Sequence, residues 1–116
     1  MTAPTELRVS KDRRTLTVTF PGHAHPFALS AELLRVLSPS AEVQGHSPEQ
    51  KVTVAGKRDV AIARIEPTGN YAVRIVFDDG HDTGIFTWDY LHRLGHDAPA
   101  LWQAHLADLE RKGLSR

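Results

Sequence analysis

The chain has 116 residues, of which 41% are hydrophobic, and this length predicts one modest core and a single domain over residues 1–116. Its 14 Lys and Arg balance its 14 Asp and Glu, so no net field directs it to nucleic acid or to an anionic membrane surface. The sequence contains no cysteine, which excludes disulfides, thiolate nucleophiles and every cysteine-containing zinc or iron–sulfur site. No apolar run approaches a membrane span and the first residues lack the pattern of a signal peptide, so the expected compartment is the cytoplasm.

The first third of the chain predicts a hairpin, a short strand and a helix. Residues 7–20 alternate between apolar and polar side chains on both sides of a polar turn at 11–14, a pattern typical of strands with one buried face. Residues 27–29 predict a further short strand. Ser30 then provides an N-cap for a helix predicted at 31–37.

The next stretch, residues 38–58, is the least regular part of the sequence. It contains prolines and glycines at intervals, mixed charges and no sustained period. We predict a long ordered loop with one brief strand at 52–54. Loops of this length inside a small domain are unusual and often functional.

A second hairpin dominates the centre of the chain. Residues 60–66 and 71–77 predict strands joined by a turn at 67–70, and a second turn at 78–82 leads to a short strand at 83–86. Both faces of 71–77 carry apolar residues, which indicates a strand inside a sheet.

Two helices are predicted at the C-terminal end. Thr87 begins a helix at 87–94 that Gly95 ends, and Asp97 caps a last helix at 98–112. The predicted fold is therefore α+β, with two β-hairpins in a mainly antiparallel sheet packed with about three short helices.

Histidine is the residue type that most suggests chemistry, since seven are present. His23 and His25 stand two apart in an extended segment, which places both side chains on one side and can seat a divalent metal. His81, in a turn with three aspartates, is the best third ligand. The alternative is that these histidines are solvated turn residues. The three histidines at 92, 96 and 105 are predicted to lie on helix surfaces or ends.

No catalytic motif is present. No histidine is followed two positions later by a carboxylate, so the facial triad of iron oxygenases is missing. The Gly56-Lys57 pair lacks the glycine spacing of a phosphate-binding loop. Ser38, Ser40 and Ser47 lie near His46 in sequence, but proximity in sequence supplies neither a base nor an orienting group. The chain is predicted not to be an enzyme.

Four linked segments nevertheless resemble one family, the gamma-butyrobetaine hydroxylase-like N-terminal domain family, formerly a domain of unknown function. The segments are residues 34–46, 56–60, 69–73 and 77–88. The resemblance covers about residues 7–95. It implies an α+β domain that occurs alone in bacteria, in front of iron- and 2-oxoglutarate-dependent hydroxylases, and attached to P-loop ATPases that carry iron–sulfur clusters.

The resemblance also bears on metal binding. In the hydroxylases, three cysteines and one histidine hold zinc, and by position these fall on Ser38, Ser40, Val43 and His81. Serine hydroxyls ionise too weakly to replace thiolates. Two interpretations stay open: a metal-free junction in which hydrogen bonds hold the loop against the His81 turn, and a weaker His/carboxylate site for iron or zinc at His81 and His46.

Two functions follow. The first is a non-enzymatic accessory or protein-interaction domain, whose partner by resemblance is an iron–sulfur carrier ATPase or an iron-dependent oxygenase; the second is a metal-binding accessory protein. Exposed apolar faces also leave self-association open. The predicted interaction surface consists of Arg35, Glu42, His46, Lys57, Arg58, Asp79, Gly80 and His81.

Overall fold

The computed structural model describes residues 2–45 and 51–116, and the predicted α+β class is confirmed. Within these ranges, two antiparallel sheets of three strands each pack with three helices. The short strands predicted after each hairpin form its third strand, and the two hairpins lie in separate sheets, not in one. The elements are β1 (Glu6–Val9), β2 (Thr15–Thr19), β3 (Phe27–Ser30), α1 (Ala31–Val36), α2 (Ala41–Gln44), β4 (Ile62–Thr68), β5 (Ala72–Phe77), β6 (Gly84–Thr87) and α3 (Trp88–Arg111).

The first sheet has the order β1-β2-β3, with the predicted alternation along its central strand. Leu16 and Val18 of β2 are fully buried, while the threonines between them are partly exposed. Arg13, in the predicted turn, has a positive φ of 64°. Its carbonyl accepts a hydrogen bond from Ile62 N, in β4, at 2.8 Å. The turn therefore connects the first sheet to β4.

The second sheet has the order β4-β5-β6, so β5 lies at its centre, as its apolar faces predict. Val73, Ile75 and Phe77 are buried on one face of β5. They join side chains of the first sheet, α1 and α3 in one continuous hydrophobic core. The two sheets are thus stabilised by the same buried apolar surface.

Two of the three predicted helix caps are present, and the third, Asp97, lies inside α3. Ser30 Oγ accepts a hydrogen bond from Leu33 N at 3.0 Å, and Thr87 Oγ1 accepts one from Tyr90 N at 3.2 Å. Each bond satisfies a backbone N–H that has no partner within its helix. The two caps fix where α1 and α3 begin.

The prediction of two C-terminal helices is wrong, because α3 runs without a break through Gly95, Asp97 and Pro99. Gly95 does not have the positive φ of a helix C-cap. It is needed because a Cβ there would overlap the ring of Phe27 in β3. The apolar stripe continues through Ala98 and Leu101, which pack on the core and offset the hydrogen bond that Pro99 cannot donate.

The irregular stretch also differs from the prediction. It contains the short helix α2, and residues 52–54 do not form a strand. Val52 N instead donates to Val43 O at 2.7 Å, and Lys112 Nζ donates to Thr53 Oγ1 at 2.6 Å. These contacts with α2 and α3 override the local β-propensity. None of the helices in the two described ranges combines the length and the apolar composition that a membrane span requires.

Candidate functional site

The turn between β5 and β6 positions the central side chains of the site. Gly80 has a φ of 92°, a conformation that glycine adopts without steric cost. Phe77 N donates to His81 O at 2.9 Å, and Gly80 N donates to Phe77 O at 3.2 Å. Asp79 Oδ1 accepts from His81 N at 3.1 Å. These bonds close the turn and direct His81 inward.

His81 is buried, with 6% of its surface exposed, and both ring nitrogens have partners. Its Nε2 lies 2.9 Å from Ser38 Oγ and 3.4 Å from Ser40 Oγ. Its Nδ1 lies 3.2 Å from Glu42 Oε2. The turn is therefore packed against the segment that joins α1 to α2, as the metal-free interpretation expects. We call the group of Ser38, Ser40, Glu42 and His81 the histidine junction.

The partners define the tautomer of His81. A carboxylate only accepts hydrogen bonds, so Nδ1 carries the proton and donates to Glu42. Nε2 then accepts from the Ser38 hydroxyl, whose oxygen in turn accepts from Ser40 N at 3.4 Å. Burial, followed by the nearby Arg35 cation, lowers the pKa of His81 below its usual value, against the opposing effect of Glu42. The imidazole is consequently neutral at pH 7.

The order carboxylate, imidazole, hydroxyl matches that of a serine hydrolase triad, but the surroundings do not. Ser38 is fully buried, and Gly84 packs so close to it that a Cβ at Gly84 would overlap Ser38 Oγ. An acyl substrate needs open space beside the nucleophile and donors for its oxyanion. The histidine junction is thus closed to a substrate.

An ion-pair cluster adjoins the histidine junction. Asp79 Oδ2 lies 2.8 Å from Arg35 Nε and 2.6 Å from Lys57 Nζ. Partial burial by itself raises the pKa of Asp79, but hydrogen bonds from Lys57, from His81 N and from Arg35 outweigh it and lower this pKa to about 2. The three side chains come from the turn, from α1 and from the segment before β4, so Asp79 fixes these parts relative to one another.

A cleft of about 400 Å³ opens beside this cluster, and we call it the Arg58 cleft. Its lining contains three cations and three carboxylates: Lys57, Arg58, Asp59, Asp78, Asp79 and Arg116. Lys57 pairs with Asp79, and Arg116 pairs with the buried Glu32 at 2.8 Å. No sequence pattern indicates Arg116, because its place in the cleft depends on its contact with Glu32 of α1.

The predicted surface is brought together only in part. The structure groups Arg35, Lys57 and Asp79 in one cluster and Glu42 and His81 in another, and it leaves Arg58 and Gly80 exposed. His46 lies outside the described residues.

The other histidines agree only in part with the prediction, which holds for His96, exposed on α3. His23 contacts His92 of α3, while His25 is exposed, so the two do not act as a pair with His81. His105 was expected on a helix surface but is buried, with 7% exposed, because α3 turns this position toward α1. Among the residues in the two described ranges, no group of three or more His, Cys, Asp or Glu side chains is placed to hold a metal ion.

The thiolate zinc site implied by the family resemblance does not fit these residues. Ser38 and Ser40 present hydroxyls, Val43 is a buried hydrocarbon side chain, and the one imidazole has hydrogen bonds at both nitrogens. A zinc ion held by three thiolates and one imidazole needs all three thiolates, and this sequence has no cysteine. The alternative site at His81 and His46 stays a prediction.

The fold and the site define a small α+β domain in which a buried histidine closes against a loop between two helices. The sequence profile of the family described as gamma-butyrobetaine hydroxylase-like, N-terminal, matches residues 7–92, which is most of the chain. The chain belongs to this family, as its sequence motifs predict.

Solved structures agree with this assignment. Two NMR solution structures are each 45% identical to the chain, with TM-scores of 0.85 and 0.84; the alignments cover 100% of this chain and 90% and 86% of those chains. A crystal structure at 1.93 Å of a protein of unknown function from Acidithiobacillus ferrooxidans, of the DUF971 family, is 39% identical with a TM-score of 0.64, covering 79% of this chain and 91% of that chain. No match was found among curated proteins.

Replacing Asp79 by Asn should destabilise the domain at neutral pH by roughly 1–2 kcal/mol, because Arg35 and Lys57 lose their shared carboxylate. The pKa of Asp79 is lower in the folded state than the usual aspartate value of 3.8, so the unfolded chain binds the proton first as the pH falls. The stabilisation is complete above about pH 4 and is lost toward pH 2. Urea unfolding of both proteins between pH 2 and pH 7 measures this.

The matched control is Asp59→Asn, since the Asp59 side chain is 82% exposed and only 3.7 Å from its partner Arg14. It should change stability by less than about 0.5 kcal/mol. Equal effects of the two substitutions at all pH values would contradict the assignment of Asp79 as the fixed centre of the ion-pair cluster.

Introducing Ser38→Cys, Ser40→Cys and Val43→Cys together should restore a metal site, because His81 Nε2 already faces the first two positions and its Nδ1 is oriented by Glu42. Titration with Co²⁺ should show thiolate charge-transfer absorption and saturation at one ion per chain. Adding His81→Ala should weaken binding by about tenfold or more. A folded triple variant without thiolate-bound cobalt would show that these positions do not converge.

Proposed function

We propose that this chain is a non-enzymatic accessory domain that binds a protein partner through the Arg58 cleft. The proposed partner class is an iron–sulfur carrier ATPase or an iron-dependent oxygenase, and the proposed compartment is the cytoplasm. Membership of the family supports this choice of partner, since its domains accompany proteins of these two kinds.

The observation that carries the proposal is the state of Arg58. Its side chain is exposed at the cleft, and no carboxylate in the two described ranges forms an ion pair with it. Its neighbours Lys57 and Arg116 both have carboxylate partners. An arginine left unpaired beside fixed ion pairs is ready to bind a carboxylate of another molecule in a bidentate manner.

The rigidity of the surroundings also favours binding. Asp79 holds α1, the segment before β4 and the turn at 78–82 together through contacts of 2.6 to 3.1 Å. A partner that docks here does not need to order these groups. The entropic cost of association is correspondingly lower than for a loose set of surface charges.

The charges of the cleft set the expected character of the partner. Three cations and three carboxylates line it, so the cleft has no net charge to attract a generally acidic surface from a distance. Recognition depends on a local match, with an acidic side chain of the partner at Arg58. Such a contact gives specificity more than affinity.

A non-catalytic role is supported by the closed histidine junction. The sole hydroxyl within 3.0 Å of His81 Nε2 in the described residues is that of Ser38, which is inaccessible to a substrate. The neutral imidazole donates to Glu42 and accepts from Ser38, so both its nitrogens are used to hold the structure. The histidine junction therefore has a structural role: it holds the turn at 78–82 in place beside the docking surface.

Site-specific photo-crosslinking in living bacteria tests the proposal without assuming a partner. A photoreactive amino acid at position 58 should give an adduct with a protein of one of the two proposed classes. The same amino acid at position 8 is the matched control, because Arg8 is also exposed but lies on β1 and pairs with Glu6. Position 8 should not give the adduct.

Purified proteins provide the quantitative test. Arg58→Glu should weaken binding to the identified partner by about tenfold or more, which corresponds to about 1.4 kcal/mol, whereas Arg8→Glu should leave it unchanged. Binding by neither class of protein, or equal binding by the two variants, would overturn the proposal.

A further inference from the structure

Two histidines from distant parts of the chain meet on the side of α3 that faces the first sheet. His23 lies in the loop between β2 and β3, and His92 lies in the second turn of α3. Their Nε2 atoms are 3.2 Å apart, and their ring centres are 4.9 Å apart with an angle of 63° between the ring planes. Neither residue belongs to the histidine junction or to the Arg58 cleft.

Aromatic packing fixes both rings. Phe20 and Phe27 pack edge-on against the His92 ring, with centre distances of 5.3 and 5.6 Å. They also contact the His23 ring, at 6.2 and 5.8 Å. Contacts of this kind favour one orientation of each ring. The packing of Phe20 and Phe27 therefore holds the two Nε2 atoms close together. The histidine pair remains accessible to solvent because His23 is exposed.

We propose that His23 and His92 form a binding site for a borderline divalent transition-metal ion, of which Zn²⁺ is the representative. With zinc–nitrogen bonds of about 2.0–2.1 Å, an ion bound to both Nε2 atoms makes a nitrogen–metal–nitrogen angle of about 103°, close to tetrahedral. The same geometry, with the ion in each ring plane, separates the ring centres by about 5.0 Å. The structure has 4.9 Å, so the ring-centre distance agrees with one shared ion.

A direct hydrogen bond between the two rings is the competing explanation. A straight N–H···N bond at the same nitrogen separation places the ring centres about 5.5 Å apart, because both nitrogens then point along one line. The shorter distance in the structure means that the ring axes meet at an angle. An angle is unfavourable for the hydrogen bond but is expected for two ligands of one tetrahedral metal ion.

The chemistry of the ligands sets the class of metal. Two neutral imidazoles suit Zn²⁺, Cu²⁺ and Ni²⁺ and disfavour Mg²⁺ and Ca²⁺, which prefer oxygen ligands. His96 follows His92 by four residues on α3, and the two rings stack at 6.5 Å. This spacing on a helix is one that zinc sites use. His96 is not placed as a third ligand, however, since its Nδ1 pairs with Asp97 at 2.9 Å. Water therefore completes the coordination.

Such an ion joins the loop at residues 21–26 to α3. The loop otherwise connects β2 to β3 with exposed residues. A ligand that binds only the folded chain stabilises it by mass action, so Zn²⁺ should raise the melting temperature. The ion should be released on acidification, since ligand imidazoles must be unprotonated.

Titration of the full, untagged chain with zinc chloride tests the site. Calorimetry should show saturation at one ion per chain. His23→Gln and His92→Gln should each weaken the binding by about tenfold or more. His25→Gln is the matched control, because His25 is exposed in the same loop; it should bind as the original chain does.

Ring nitrogen resonances identify the ligands independently of affinity. On addition of Zn²⁺, the Nε2 signals of His23 and His92 should shift together, and those of His25 and His81 should not. Circular dichroism of both Gln variants shows whether they are folded. No saturable binding, a His92→Gln variant that binds normally, or zinc shifts at His81 instead would each overturn the proposal.

Discussion

The hydrogen bond between Ser38 and His81 is the interaction on which the functional half of this domain depends. It joins the end of α1 to the turn after β5 across 43 positions of sequence, in a place where both groups are removed from water. A buried imidazole or hydroxyl without a partner destabilises a protein by about 1–3 kcal/mol. Mutual satisfaction of the two groups therefore fixes this turn. The same turn carries Asp79, which holds Arg35 and Lys57 in place beside the Arg58 cleft.

The histidine junction keeps the orientation of a metal-binding histidine without the donors of a metal site. In metal sites, a carboxylate commonly accepts the proton of the ring nitrogen that does not bind the ion, and Glu42 stands in that relation to His81. The other ring nitrogen, Nε2, meets the hydroxyl groups of Ser38 and Ser40. Hydrogen bonds of about 1 kcal/mol each thus join the turn to the segment between α1 and α2.

Local sequence patterns predicted the strands and the helix starts, whereas contacts between distant parts of the chain determine how these elements pack. The alternation of apolar and polar residues predicted β2, the apolar residues on both faces predicted β5, and the hydroxyls of Ser30 and Thr87 predicted where α1 and α3 begin. Gly95 was misinterpreted because its neighbour is Phe27, in another element. The likeness to the family pointed to the contact of His81 with Ser38, whereas the meeting of His23 and His92, 69 positions apart, has no signal in residue spacing.

The protonation state of His81 is the best test of whether hydrogen bonds, without a metal ion, hold the histidine junction together. Long-range proton–nitrogen NMR of the side chain distinguishes the two ring nitrogens. We expect a neutral ring at pH 7 with the proton on Nδ1, a hydrogen-bonded Nε2, and no change on adding a chelator or one equivalent of Zn²⁺. A proton on Nε2, or a His81 Nε2 signal that moves when zinc is added or removed, would contradict a hydrogen-bonded junction.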